Sequence, residues 1–84
     1  MDNSKFQLIC NNKVIEYLKE KDIEITLNDI YTVWLSKVLQ NNKCLISTNI
    51  SDGLYYEFTF NGDKKELYMD VYSKKENRVI KVEV

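Results

Sequence analysis

Glu57, Glu66 and Asp70 fall within one short stretch of chain, interleaved with Tyr55, Tyr68 and Tyr72. Two carboxylates whose environments split their pKa values can share acid–base work, one donating a proton and the other accepting it. That chemistry needs a cleft to desolvate one of the pair. The stretch alternates like a strand, so its carboxylates belong on a flat sheet face, which supplies no such cleft. A hard cation is the other candidate ligand for clustered carboxylates, but no loop here has calcium-ligand spacing. What remains is recognition: tyrosines among carboxylates suit a partner carrying Lys or Arg, through cation–π and charge-assisted contacts. The plainer reading is that tyrosine is a common strand residue and carboxylates keep an open sheet face soluble.

Composition narrows the chemistry further. The chain has no histidine, which removes the usual general base, the Ser-His and Cys-His pairs and most zinc sites. Its two glycines, Gly53 and Gly62, cannot build a phosphate-cradling loop. These absences lead us to expect a protein that is not an enzyme, with no cofactor and no metal. Net charge is −1, with 12 basic and 13 acidic side chains interleaved, so phosphate neutralisation is not its main business and nucleic acid is an unfavoured partner. Cys10 and Cys44 have no metal-ligand companions and read as reduced, buried, small apolar residues.

The chain has 84 residues, of which 44% are hydrophobic and 30% charged, the balance of a globular fold read here as one domain over 1–84. At this length only about 60–65% of the unfolded surface is buried, so stability of a few kcal/mol is expected, and dimerisation would add buried area. No apolar run approaches the roughly 18 residues of a membrane span, and "MDNSKFQLIC" lacks the pattern of an export signal. A cytoplasmic protein with no membrane partner is the expectation.

The elements that position the tyrosines and carboxylates follow from periodicity. Residues 4–20 read as a helix, opened by the Ser4–Gln7 capping-box pattern and carrying Phe6, Ile9, Cys10, Val14, Tyr17 and Leu18 as one stripe. Residues 22–29 read as a short strand or extended connection. Residues 30–39 would fit a helix face, but Ile, Tyr, Thr, Val and Trp favour a strand, with Asn41-Asn42 as the following turn. "SDG" at 51–53 turns, 54–60 alternates, "NGDK" turns, 65–73 alternates, and "KKEN" leads to a last strand at 78–83. The fold class is α+β: an N-terminal helix packed on an antiparallel β-meander of four to five strands.

Pair chemistry chooses a register for the "NGDK" hairpin. An Asn61-Gly62 turn would set Glu57 against Glu66 and Phe58 against Lys65. With Gly62-Asp63 in the turn, or all four residues in a longer loop, Phe58 faces Leu67, Tyr56 faces Met69, and Glu57 faces Tyr68. Opposed like charges cost up to about 1 kcal/mol, so the second register is preferred. It splits the hairpin in two. Leu54, Tyr56, Phe58, Phe60, Leu67, Met69 and Val71 form the face under the helix. Tyr55, Glu57, Thr59, Glu66, Tyr68, Asp70 and Tyr72 form the other. Tyr55, Glu57, Glu66, Tyr68, Asp70 and Tyr72 are the candidate partner-binding residues, with Trp34 as a core or interface anchor.

"VWLSKVLQNNK" (33–43) and "DGLYYEFTFNGDKKELYMDVY" (52–72), together with the helix, resemble a small family of unknown function encoded by phages and prophages of Gram-positive bacteria. The shared features are the Trp34 position, the "LQN-K" turn, the "DG-YYE" strand start and the "NGDK" turn. The "RVIKVEV" segment is longer than the usual pattern. The resemblance implies no activity and no catalytic residue. It implies a short phage-type product in the bacterial cytosol, where such proteins act by stoichiometric binding. The leading expectation is an inhibitor or modulator of a host or bacterial-defence protein. The alternatives are an oligomer sequestering a small nucleotide signal through Lys37, Lys43 and Lys64, or a nucleic-acid-associated accessory protein.

Overall fold

The structure, a computed structural model, describes residues 1–83. Helix α1 (Asn3–Lys19) precedes strands β1 (Ile30–Val38), β2 (Asn41–Thr48), β3 (Leu54–Asn61) and β4 (Glu66–Ser73), which form one antiparallel sheet in chain order. The α+β meander expected from the periodicity is the fold, with four strands. The fifth, expected at 78–83, is absent: residues 74–83 carry no regular structure.

Phe6, Cys10, Val14 and Leu18 recur every fourth position of α1 and are fully buried against Cys44, Ile46, Tyr56 and Phe58. Tyr17 stands edge-on to Tyr56, with ring centroids 5.7 Å apart. Both cysteines are free and lie in this core. A hydrogen bond with Cys44 and then burial push the Cys10 thiol above its ordinary pKa. The cap differs from the Ser4–Gln7 box. Asp2 is the N-cap, its carboxylate accepting from the Lys5 amide at 2.8 Å, while the Gln7 amide side chain donates to Thr32 on β1. Asp is as good a cap as Ser, and starting the helix earlier frees Gln7 to tie α1 to the sheet. The helix closes with Asp22 at φ +61°, where the Asp22 and Ile23 amides bond the Lys19 and Leu18 carbonyls, both at 3.0 Å. Residues 23–26 are then extended, and Leu27–Asp29 forms a 3-10 turn rather than a strand.

Two turns depart from expectation. The β1–β2 turn is Leu39-Gln40, not Asn41-Asn42: Val38 pairs Asn41 and Lys37 pairs Asn42. Asn42 is buried instead, its amide donating to the Met1 carbonyl (3.2 Å) and Asn3 Oδ1 (3.3 Å), which fixes the start of α1 on β2. Leu39 consequently sits at φ +55° with its side chain 88% exposed. A non-glycine residue there is strained by about 1 kcal/mol, and this side chain buries nothing in return. Leu39→Gly is therefore expected to stabilise the fold by about 0.5–1 kcal/mol, read as a higher urea midpoint at unchanged m-value.

The β3–β4 hairpin is slipped by two residues from the preferred register. Phe58 pairs Met69, Tyr56 pairs Val71, and Glu57 pairs Asp70, around a Gly62–Lys65 loop. Asn61 decides it: its side-chain oxygen accepts from the Asp63 and Lys64 amides, both at 3.1 Å, and Lys65 takes φ +54° to close the loop. A slip of two keeps every side chain on its face, so the division into two faces stands.

The covered face is narrower than expected. Leu54, Phe60 and Leu67 pack at the margin of the core, but Met69 and Val71 remain 36% exposed. A helix about 10 Å across cannot span four strands spaced about 4.8 Å apart. Because α1 lies over β1 and β2, β4 is left beyond its edge.

Burial also links Tyr56 to pH. Its hydroxyl is buried with no hydrogen-bond partner among the described residues. Burial, then the charges of Asp52 and Tyr17, push its pKa up to about 12 from an ordinary 10. The folded chain thus holds this proton more tightly than the unfolded one. Stability from this group is intact below pH 10 and is lost as pH rises through about 12. Alkaline unfolding monitored by circular dichroism is expected to steepen across that window, and Tyr56→Phe is expected to make the decline shallower.

Candidate functional site

Strand pairing brings all seven candidate residues to the sheet face opposite α1. Three rows cross the strands: Tyr31–Ser47–Tyr55–Tyr72, Trp34–Leu45–Glu57–Asp70, and Ser36–Lys43–Thr59–Tyr68. Glu66, beside Asn61, lies at the end of the same face. Tyr31, Trp34, Glu66, Tyr68, Asp70 and Tyr72 are exposed, whereas Tyr55, Glu57 and Leu45 are half-buried.

Each outer tyrosine on β4 is tied to a carboxylate. The Tyr72 hydroxyl donates to Glu57 Oε1 at 3.2 Å, and the Tyr68 hydroxyl donates to Glu66 Oε2 at 3.0 Å. The pKa of Tyr72 is raised by the Glu57 charge and this hydrogen bond, and that of Tyr68 by its bond to Glu66. Both rings are thus held by acceptors that keep their protons. Lys43 Nζ, 3.8 Å from Glu57, forms the one salt bridge to this carboxylate set among the described residues. Glu57 stands directly opposite Asp70, so the middle of the face is acidic.

Sequence reasoning missed Tyr31. Plain alternation puts residues 31 and 34 on opposite faces, but the pairing shifts between Thr32 and Trp34, and this bulge at Val33 turns Tyr31 to the side of Trp34. Only the pattern of pairing reveals it, because a bulge leaves no composition signal here. Small Ser47, buried between its row neighbours Tyr31 and Tyr55, donates to the Leu54 carbonyl at 3.0 Å.

The remaining candidates do not converge. Lys37 stands on the helix side of β1, Lys43 on the open face and Lys64 in the β3–β4 loop. A groove of about 350 Å³ between α1 and β4 and another of about 360 Å³ beside the α1–β1 connection include none of the open-face residues. Among the described residues, no group of three or more acidic or cysteine side chains is placed to hold a metal ion, and no helix is long and apolar enough to cross a membrane. The open face presents exposed aromatic rings and carboxylates held by tyrosine hydroxyls.

Compared with known proteins, the chain matches the model of a family of unknown function (DUF6275) over residues 7–82. No curated protein and no solved structure matches it.

Proposed function

The chain belongs to the DUF6275 family, and from that premise we propose that it is a non-enzymatic binding protein whose open sheet face docks on a basic protein surface. The observation that carries this reading is the pairing of Tyr68 and Tyr72 with Glu66 and Glu57. Rings already tied in place lose little further freedom on contact, and the Glu66 and Asp70 carboxylates beside them keep oxygens that can accept from Lys or Arg. Tyrosine on such a face supplies large contact area with only two torsions to fix.

The resemblance to phage and prophage products supports the setting we propose: a stoichiometric inhibitor or modulator of a host or bacterial-defence protein, in the cytoplasm of the bacterial host. Native mass spectrometry of complexes affinity-purified from infected cells tests it. The expected species is a stoichiometric complex with a protein that weakens as salt is raised, because exposed charges are screened. Recovery of the chain without any protein partner overturns the reading.

A further inference from the structure

Residues 78–83 read as a strand yet take no strand pairing among the described residues. Val79, Ile80 and Val82 are 85%, 78% and 72% exposed, far more than three β-preferring apolar residues of an alternating segment warrant. The Lys74 amide donates to the Gly53 carbonyl at 2.7 Å, which ties the chain leaving β4 to the β2–β3 turn. Residues 74–83 extend from there, and the radius of gyration is 14.5 Å, where a compact chain of this length has about 12 Å.

We infer that residues 78–83 are an exchange arm, which adds as a fifth strand to the β4 edge of a second copy of this chain. The two sheet edges are not equal. Edge β1 is broken by its bulge at Val33, a device that discourages strand addition, whereas β4 pairs in unbroken register from Glu66 to Ser73. Six residues of strand span about 20 Å, which fits within the eight-residue β4. The chemistry of the two faces matches as well. On the helix side, β4 offers half-exposed Met69 and Val71 beside the groove lined by Tyr17, Phe58 and Leu67, which Ile80 and Val82 would cover. Alternation then sends Lys81 to the open side, where Asp70 and Glu66 are free of salt bridges among the described residues. Reciprocal exchange closes a two-fold dimer and covers the β4 edge of each copy. The arm takes only Asp70 and Glu66 from the open face, so the tyrosines that carry the partner-binding reading are left uncovered.

Sedimentation and native mass spectrometry of the full chain, with hydrogen exchange read over residues 78–83, test the arm. The expected result is a dimer in which these amides exchange at least about tenfold more slowly than in a monomeric Ile80→Asp, Val82→Asp chain. Neither side chain contributes to the core of its own chain, so the variant keeps its helix and sheet by circular dichroism. A monomer at every concentration overturns the proposal, including one whose arm is protected by folding back on its own β4. So does a dimer that survives the double substitution, or one whose arm exchanges freely.

Discussion

Gly62→Ala is expected to destabilise the fold by about 2 kcal/mol, the scale of a backbone-against-backbone clash in a packed site. Gly62 does not take a positive φ, so the requirement is space. A Cβ there would lie 2.2 Å from the Gln40 carbonyl oxygen, 2.9 Å from its Cβ and 3.1 Å from its carbonyl carbon. The first of these is main chain, inside the two-residue turn that joins β1 to β2, and it cannot rotate away as a side chain could. Nor can Gly62 retreat easily, since its amide donates to Asn41 Oδ1 at 3.3 Å and Asn61 holds the loop that follows. The two hairpin turns therefore rest on each other at Gly62, where there is no side chain to hold them apart. In a domain this small, about 2 kcal/mol is a large share of the total and lowers Tm by roughly 8–16 °C. Gln40→Ala is expected not to rescue Gly62→Ala, because it leaves the obstructing oxygen in place. A Gly62→Ala chain that melts within a degree of the parent would show that the turns do not touch in solution.

That contact also explains what the sequence could and could not disclose. Periodicity is enough for α1 and for the two-faced β3–β4 hairpin, because burial enforces a 3.6-residue or two-residue repeat wherever one side meets the core, whereas β1 fits a helix face equally well and is told apart only by its β-preferring residues. Local polar chemistry was harder. Asn42 looks like a turn residue by type, but it serves as a buried anchor for the start of α1. Asn61 looks like a turn residue but is the last residue of β3, and its two side-chain bonds into the loop outweigh the opposed charges of Glu57 and Asp70 that pair chemistry would avoid. The bulge at Val33, which adds Tyr31 to the candidate face, arises between strands and leaves no mark in either strand alone. The segment at 78–83 is the reverse case. Its alternation is plain, but alternation names a strand without naming the chain that pairs with it.

The second large effect concerns the face itself. Tyr68→Ser with Tyr72→Ser is expected to leave the fold largely intact and to abolish partner binding. Both rings stand exposed on the edge strand, outside the core of Tyr56, Phe58 and the α1 stripe, and their hydroxyl bonds are made to exposed or half-buried carboxylates. Losing cross-strand contacts of this kind costs about 1 kcal/mol or less for each residue, so circular dichroism and a thermal melt should register a modest drop. Binding responds on another scale. An anchoring tyrosine contributes about 2 kcal/mol or more, so either substitution alone should weaken the complex roughly thirtyfold, and the pair should lose it from affinity-purified material. Phenylalanine at both positions separates the ring from the hydroxyl. If the rings are the anchors, Phe retains most of the affinity while freeing Glu57 and Glu66 from their tyrosine donors. If ordering by those carboxylates matters as much, Phe and Ser fall together. Folding and binding that both survive the serine pair would mark the face as a solvated surface, and the tyrosines would then be serving the sheet alone.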